Sequence, residues 1–131
     1  MAKYLHADVL DNGPAYLKAN AVRVLLITSY TAGNSYATVV AASIAERTIS
    51  STDFGTLAGA DAANRTLAFS GKAGATASAS FGGGSNLHFA FTDGSAKVLA
   101  VTDETSDQAI TSGNTVDFPA ISPLFTAKQP T

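Results

Sequence analysis

Two imidazoles and a few carboxylates are the groups in this chain best suited to chemistry: His6 and His88, with Asp93, Asp103, Glu104 and Asp107. Histidine can act as a general acid, a general base or a metal ligand near neutral pH, and loop carboxylates suit a hard cation such as Ca²⁺. The spacing supports neither role. Neither imidazole has a companion at a diagnostic metal-ligand interval, and the acids match no recognised calcium loop. His88 lies in an apolar run where Leu87, Phe89 and Phe91 share one face of a strand, which sets it with Ala90 on the less buried face. It reads as a polar sheet residue, and the acids read as turn-forming groups at strand ends.

Other constellations are equally thin. Serine is abundant, but no Gly-x-Ser-x-Gly elbow exists to place a nucleophile against either histidine. Gly82-Gly83-Gly84 precedes a strand pattern and lacks the Lys-Ser/Thr ending of a phosphate-binding loop, so it reads as a turn. Asp103 and Asp107 are too generic a carboxylate pair for glycoside hydrolysis. Asn64-Arg65-Thr66 fits the glycosylation tripeptide, yet without a visible export signal it reads as a turn entering a strand. Tyr4, Tyr16, Tyr30 and Tyr36 crowd the first third, either as a carbohydrate-stacking or protein-contact surface or as half-buried tyrosines. The expectation is a non-enzymatic protein with no catalytic, cofactor or metal site.

The elements that would position these groups follow from composition and pattern. The 131 residues fit one domain, and 46% of them are apolar, with much of that alanine and no tryptophan. Eight basic against ten acidic residues give a formal charge of −2, and no basic cluster is present to meet a phosphate backbone, which argues against direct nucleic-acid binding. There is no cysteine, and no apolar run approaches the roughly 20 residues of a membrane-spanning helix.

The most telling stretch is 87–101, LHFAFTDGSAKVLAV: two β-rich segments joined by Asp93-Gly94, a pair that suits a tight hairpin turn. Upstream, Gly13-Pro14 interrupts a helical pattern that ends near Asn20, with Asn12 a plausible cap. Residues 22–29 read as a buried strand. Ser35 caps a short helix carrying Val39, Val40 and Ile44, with a strand through 36–40 as the alternative. Residues 49–54 form a link or short edge strand, 57–64 a loop and 65–70 a strand. The small-residue stretch 71–85 is a flexible linker or a light strand covered by another chain. Ser112-Gly113-Asn114 is a turn, and Pro119 ends or edges the last strand. Together these predict a mainly β, antiparallel β-sandwich or jelly-roll-like single domain with one or two short helices near the N-terminus. The divisions are an N-terminal arm with a short broken helix over 1–21, a β domain over 22–121 and an extended C-terminal tail over 122–131.

The segments MAKYLHADVLDNG, SYTAGNSYATVV, NRTLAFSGKAGATASAS, LHFAFTDGSAKVLAVTDETSDQAITSGNTVDFP and the terminal QPT resemble a group of small tailed-bacteriophage structural proteins. That resemblance implies a virion protein, foremost a capsid decoration or cement protein that binds the major capsid protein on the assembled head. It also implies a homo-oligomer, dimer or trimer, made in the host cytoplasm and carried on the capsid surface, while charge and hydropathy predict no direct nucleic-acid or membrane partner. The alternatives are a tail-fibre or glycan-binding receptor module and a head-tail connector component. Terminal position and apolar content make Leu10, Tyr16, Leu124, Phe125 and Pro130 the candidate partner contacts. Removing the residues after Ile121 is then expected to weaken shell binding and leave the domain folded.

Overall fold

The computed structural model describes residues 4–5, 7–58, 65–83, 87–103 and 109–128. In chain order the elements are β1 (Tyr4–Leu5), α1 (Ala7–Asn20), β2 (Arg23–Ile27), α2 (Tyr36–Ala41), β3 (Ser43–Thr48), a 3₁₀ turn (Ser51–Asp53), β4 (Arg65–Phe69), β5 (Lys72–Thr76), β6 (His88–Thr92), β7 (Val98–Asp103), β8 (Thr115–Phe118) and β9 (Ile121–Ala127). Five of them make one antiparallel sheet in the order β1-β7-β6-β2-β3. The other four form the pairs β4-β9 and β5-β8, successive lengths of one antiparallel ribbon.

The ribbon lies on one face of the sheet. Val24, Leu26, Phe89, Phe91, Leu99 and Ala100 of the sheet share a core with Leu67, Phe69, Ala75, Phe118 and Phe125 of the ribbon. Two aromatic contacts link the layers: Phe69 meets Phe91 at 5.1 Å and 81°, and Phe89 meets Phe118 at 5.3 Å and 64°, both within the edge-to-face range. The opposite face carries Leu25, Ile27, Ala90, Val98 and Val101, covered by Val39 of α2 with Tyr30 and Tyr36. All of β6 is buried, because both faces of the sheet are covered. The molecule is an antiparallel β-sandwich with two helices, the sandwich form of the expected architecture.

Local chemistry explains several boundaries. The break in α1 falls at Gly13 (φ 69, ψ −162), and Pro14 opens the segment that follows, a position where its missing N–H costs nothing. Asn20 ends the helix, its side chain donating to the Tyr16 carbonyl at 2.9 Å. The capping role read for Asn12 lies outside the described side chains. Between β4 and β5 the ribbon bends at Gly71 (φ 87), where an added Cβ would sit 2.8 Å from the Phe118 carbonyl oxygen.

Four local expectations change. Ser35 does cap α2, its hydroxyl accepting from the Thr38 N–H, but the helix stops at Ala41 and Ile44 belongs to β3. Pairing of 43–48 with β2 overrides the helical preference of the alanine-rich run. Asp93-Gly94 does not make a two-residue turn: the loop spans 93–97, and of the pair only Gly94 has positive φ. Residues 72–76 form a strand paired with β8 of the same chain. Residues 121–127, largely assigned to an extended tail, are β9, so the β domain runs on to Ala127 and Phe125 lies opposite Leu67 in the core.

Candidate functional site

His88 is 6% exposed and stands directly across the β6-β7 ladder from Asp103. Its Nε2 lies 3.4 Å from Asp103 Oδ1, and its ring centroid is 6.0 Å from that of Tyr30. The reading of a less buried face is therefore corrected: α2 and Tyr30 cover the side of the sheet that His88 shares with Ala90. The Asp103 partnership was hidden by the register shift between Phe91 and Thr92, which defeats counting outward from the loop. Glu104, Asp107 and His6 lie outside the described residues. Among the described residues no three His, Cys, Asp or Glu side chains gather as a metal set.

Asp93 turns its carboxylate onto its own loop. Its Oδ1 accepts from the N–H groups of Ser95, Ala96 and Lys97 at 3.0, 2.8 and 2.9 Å. Burial by itself would raise the Asp93 pKa, but these backbone donors and the Ser95 hydroxyl outweigh it and hold the carboxyl below the ordinary aspartate value. Asp53 behaves similarly. Burial again opposes the charge, yet the Lys72 ammonium at 3.0 Å, the Ser50 N–H and the more distant Arg47 keep the Asp53 carboxyl low. This pair ties the 3₁₀ turn to β5, while Lys18 donates to the Gly55 carbonyl at 2.9 Å and ties α1 to the same region. Asp117 accepts from the Gly74 N–H at 2.9 Å, joining β8 to β5. The acids thus hold strands and loops in place.

The contact candidates are dispersed. Tyr16 is half-buried, with Lys97 Nζ 3.5 Å from its hydroxyl and 5.9 Å from its ring centroid. Leu124 packs against the core, and Phe125 is 6% exposed within it, so Phe125 serves the fold. Leu10 lies in α1, where its side chain is not among those described, and Pro130 falls outside the described residues. Tyr30 and Tyr36 are half-buried and pack against the second apolar cluster, and the side chain of Tyr4 is not among those described. Gly82 and Gly83 are exposed, whereas Gly84 and Asn64 lie outside the described residues.

Among the described residues, two concavities adjoin the strands discussed above. One, of about 450 Å³, lies between the layers and is lined by Leu26, Leu87, Phe89, Ile110, Val116 and Pro119 among others. The second, of about 560 Å³, opens between β3 and β5 and involves Ala45, Glu46, Arg47, Ala75, Thr76 and Ser78. Ser43 and Ser78 also line the second, and their hydroxyls donate to the Ala45 and Ile44 carbonyls. Comparison with protein-family models, curated proteins and solved structures gave no match.

Proposed function

We propose that this chain is a non-enzymatic structural protein of a tailed-bacteriophage virion, a capsid decoration or cement protein that binds and stabilises the assembled head. The observation that carries the reading on the structural side is the use made of charge. Asp93, Asp53 and Asp117 are each engaged in holding the scaffold's own backbone or its lysine, as suits a rigid domain whose work is contact. The resemblance of the 87–119 segment to small phage structural proteins supplies the virion setting.

A protein that binds only the assembled shell stabilises that shell by mass action. In this reading the sandwich acts as a preformed clamp, so little ordering entropy opposes binding. The test is the copy number and position of the chain in purified particles, by quantitative mass spectrometry with cryo-electron microscopy. Copies in the stoichiometry of the shell support decoration. Copies in the stoichiometry of one ring at a single vertex assign it to a connector, and absence from particles overturns the virion reading.

A further inference from the structure

The parity of the β-ladders exposes an unused hydrogen-bonding edge. The Ile49 N–H donates to the Val22 carbonyl, and the register pairs Val24 with Arg47 and Leu26 with Ala45. The main-chain groups of 45 and 47 therefore face β2, and those of 46 and 48 face away from it. At the register shift of this pair the Ile44 carbonyl also points away from β2 and accepts from the Ser78 N–H at 2.7 Å, beyond β5. That bond is where the two layers meet. Past it β3 is the last strand of its sheet and β5 is paired with β8 alone, so the outward groups of Glu46 and Thr48 belong to no ladder among the described strands. The 560 Å³ cleft opens at this place.

A second copy of β3 is a poor occupant. Antiparallel pairing about Arg47 sets Arg47 against Arg47, and pairing about Glu46 sets Glu46 against Glu46 and needs the Ile44 carbonyl already bonded to Ser78. Pairing about Thr48 needs Ser50, whose N–H donates to Asp53 at 2.9 Å and whose carbonyl accepts from the Asp53 N–H. Like charges directly opposite one another on a ladder destabilise it. The edge is thus guarded against itself in the manner of natural edge strands, while its rungs stay open to a different sequence.

Charge selects that sequence. Glu46 is already paired with Arg23 at 2.9 Å. The exposed Arg47 lines the cleft, and the Asp53 carboxylate that attracts it is itself bound by Lys72. We infer that the β3 edge receives an extended acidic segment of the partner protein by β-strand addition, with main-chain bonds to Glu46 and Thr48 and an Asp or Glu set beside Arg47. This rests on the decoration reading, and the partner segment is then an extended acidic stretch of the capsid subunit.

Proline isolates the main-chain contribution. Thr48→Pro removes one outward N–H and leaves the β2-β3 bonds in place, a substitution tolerated at an edge strand, whereas Thr48→Ala removes only the side chain. The probe is purified heads lacking this protein, mixed with each full-length variant and assayed by co-sedimentation. The expected result is loss of binding for Thr48→Pro, wild-type binding for Thr48→Ala, and a drop of about two- to fivefold for Arg47→Glu, the range of an exposed ion pair. Wild-type binding by Thr48→Pro, or equal loss by both Thr48 variants, overturns strand addition while leaving decoration standing. Failure of the wild-type chain to bind heads overturns both. Should Thr48→Pro fail to fold, hydrogen exchange on the wild-type chain decides: slowed exchange of the Glu46 and Thr48 amides on heads supports the inference, and unchanged exchange overturns it.

Discussion

The five-stranded sheet and the ribbon that covers it are built from the same chain on different terms. β6 is buried along its whole length and β2 from Val24 to Ile27, because the ribbon covers one face and α2 with Tyr30 covers the other. In β5 only Ala75 is buried, and Ala73, Gly74 and Thr76 face outward. The twice-covered strands therefore carry phenylalanine, leucine and valine, and the solvent side of the ribbon carries small and polar residues such as Ala73, Gly74, Thr76, Asp117 and Ser122. A layer covered twice must be apolar nearly throughout, while a layer covered once needs large side chains only on alternate positions. Register is irregular in both layers. The central β2-β6 ladder runs without interruption, while β2-β3 and β6-β7 on either side of it and both ribbon pairs each contain a register shift.

This contrast can be broken most severely at the place where the ribbon enters the core. Truncation after Ile121 removes most of β9 and with it Phe125, so the expected outcome is loss of the cooperative unfolding transition, measured by circular dichroism. The structure reverses the expectation that such a truncation would spare the domain. Within the sheet, Phe91→Ala removes a ring that touches both Phe54 and Phe69. A loss of about 3–5 kcal/mol is expected from urea titration.

The bend of the ribbon supplies a smaller test. Gly71→Ala places a methyl group against the Phe118 carbonyl at positive φ and should cost more than about 1 kcal/mol in the same titration. Acid sharpens the comparison further. Asp53 and Asp93 are held below their ordinary pKa, so their stabilising effect is present above the unfolded-state value and lost as pH falls through the lower folded-state values. Urea midpoints should drop across that acid range. The drop should shrink in Lys72→Met, which removes the side-chain partner of Asp53 on the ribbon. At the small end, Thr76→Val on the outward ribbon surface should change stability by no more than about 0.5 kcal/mol.

Much of the sheet was legible residue by residue. The Leu87, Phe89, Phe91 face, the β-branched run from Val22, and the turn at Ser112-Gly113-Asn114 follow from alternation and turn chemistry alone. The break at Gly13-Pro14 and the Ser35 cap were legible for the same reason, since each depends on one or two neighbouring residues. The strand nature of 43–48 was not, because Ser43, Ala45 and Glu46 carry little β preference and take the conformation that β2 imposes on them. Phe125 was misread as a terminal contact because sequence position says nothing of a partner such as Leu67, 58 positions away by the pairing of the two strands. The Asp93 loop shows a mixed outcome: Asp-Gly marked the turn, and only the three-dimensional course of 93–97 revealed the carboxylate as its organiser.

By itself the sequence determined a β-rich chain with an apolar hairpin, two short helical segments and polar turns, because local sterics and side-chain alternation act over a few residues. Tertiary structure decided which strands adjoin, that His88 is buried opposite Asp103, that β9 closes the core, and that the outward rungs of Glu46 and Thr48 belong to no ladder among the described strands. Those outcomes depend on contacts between distant segments, where register and burial are set by the whole packed sandwich.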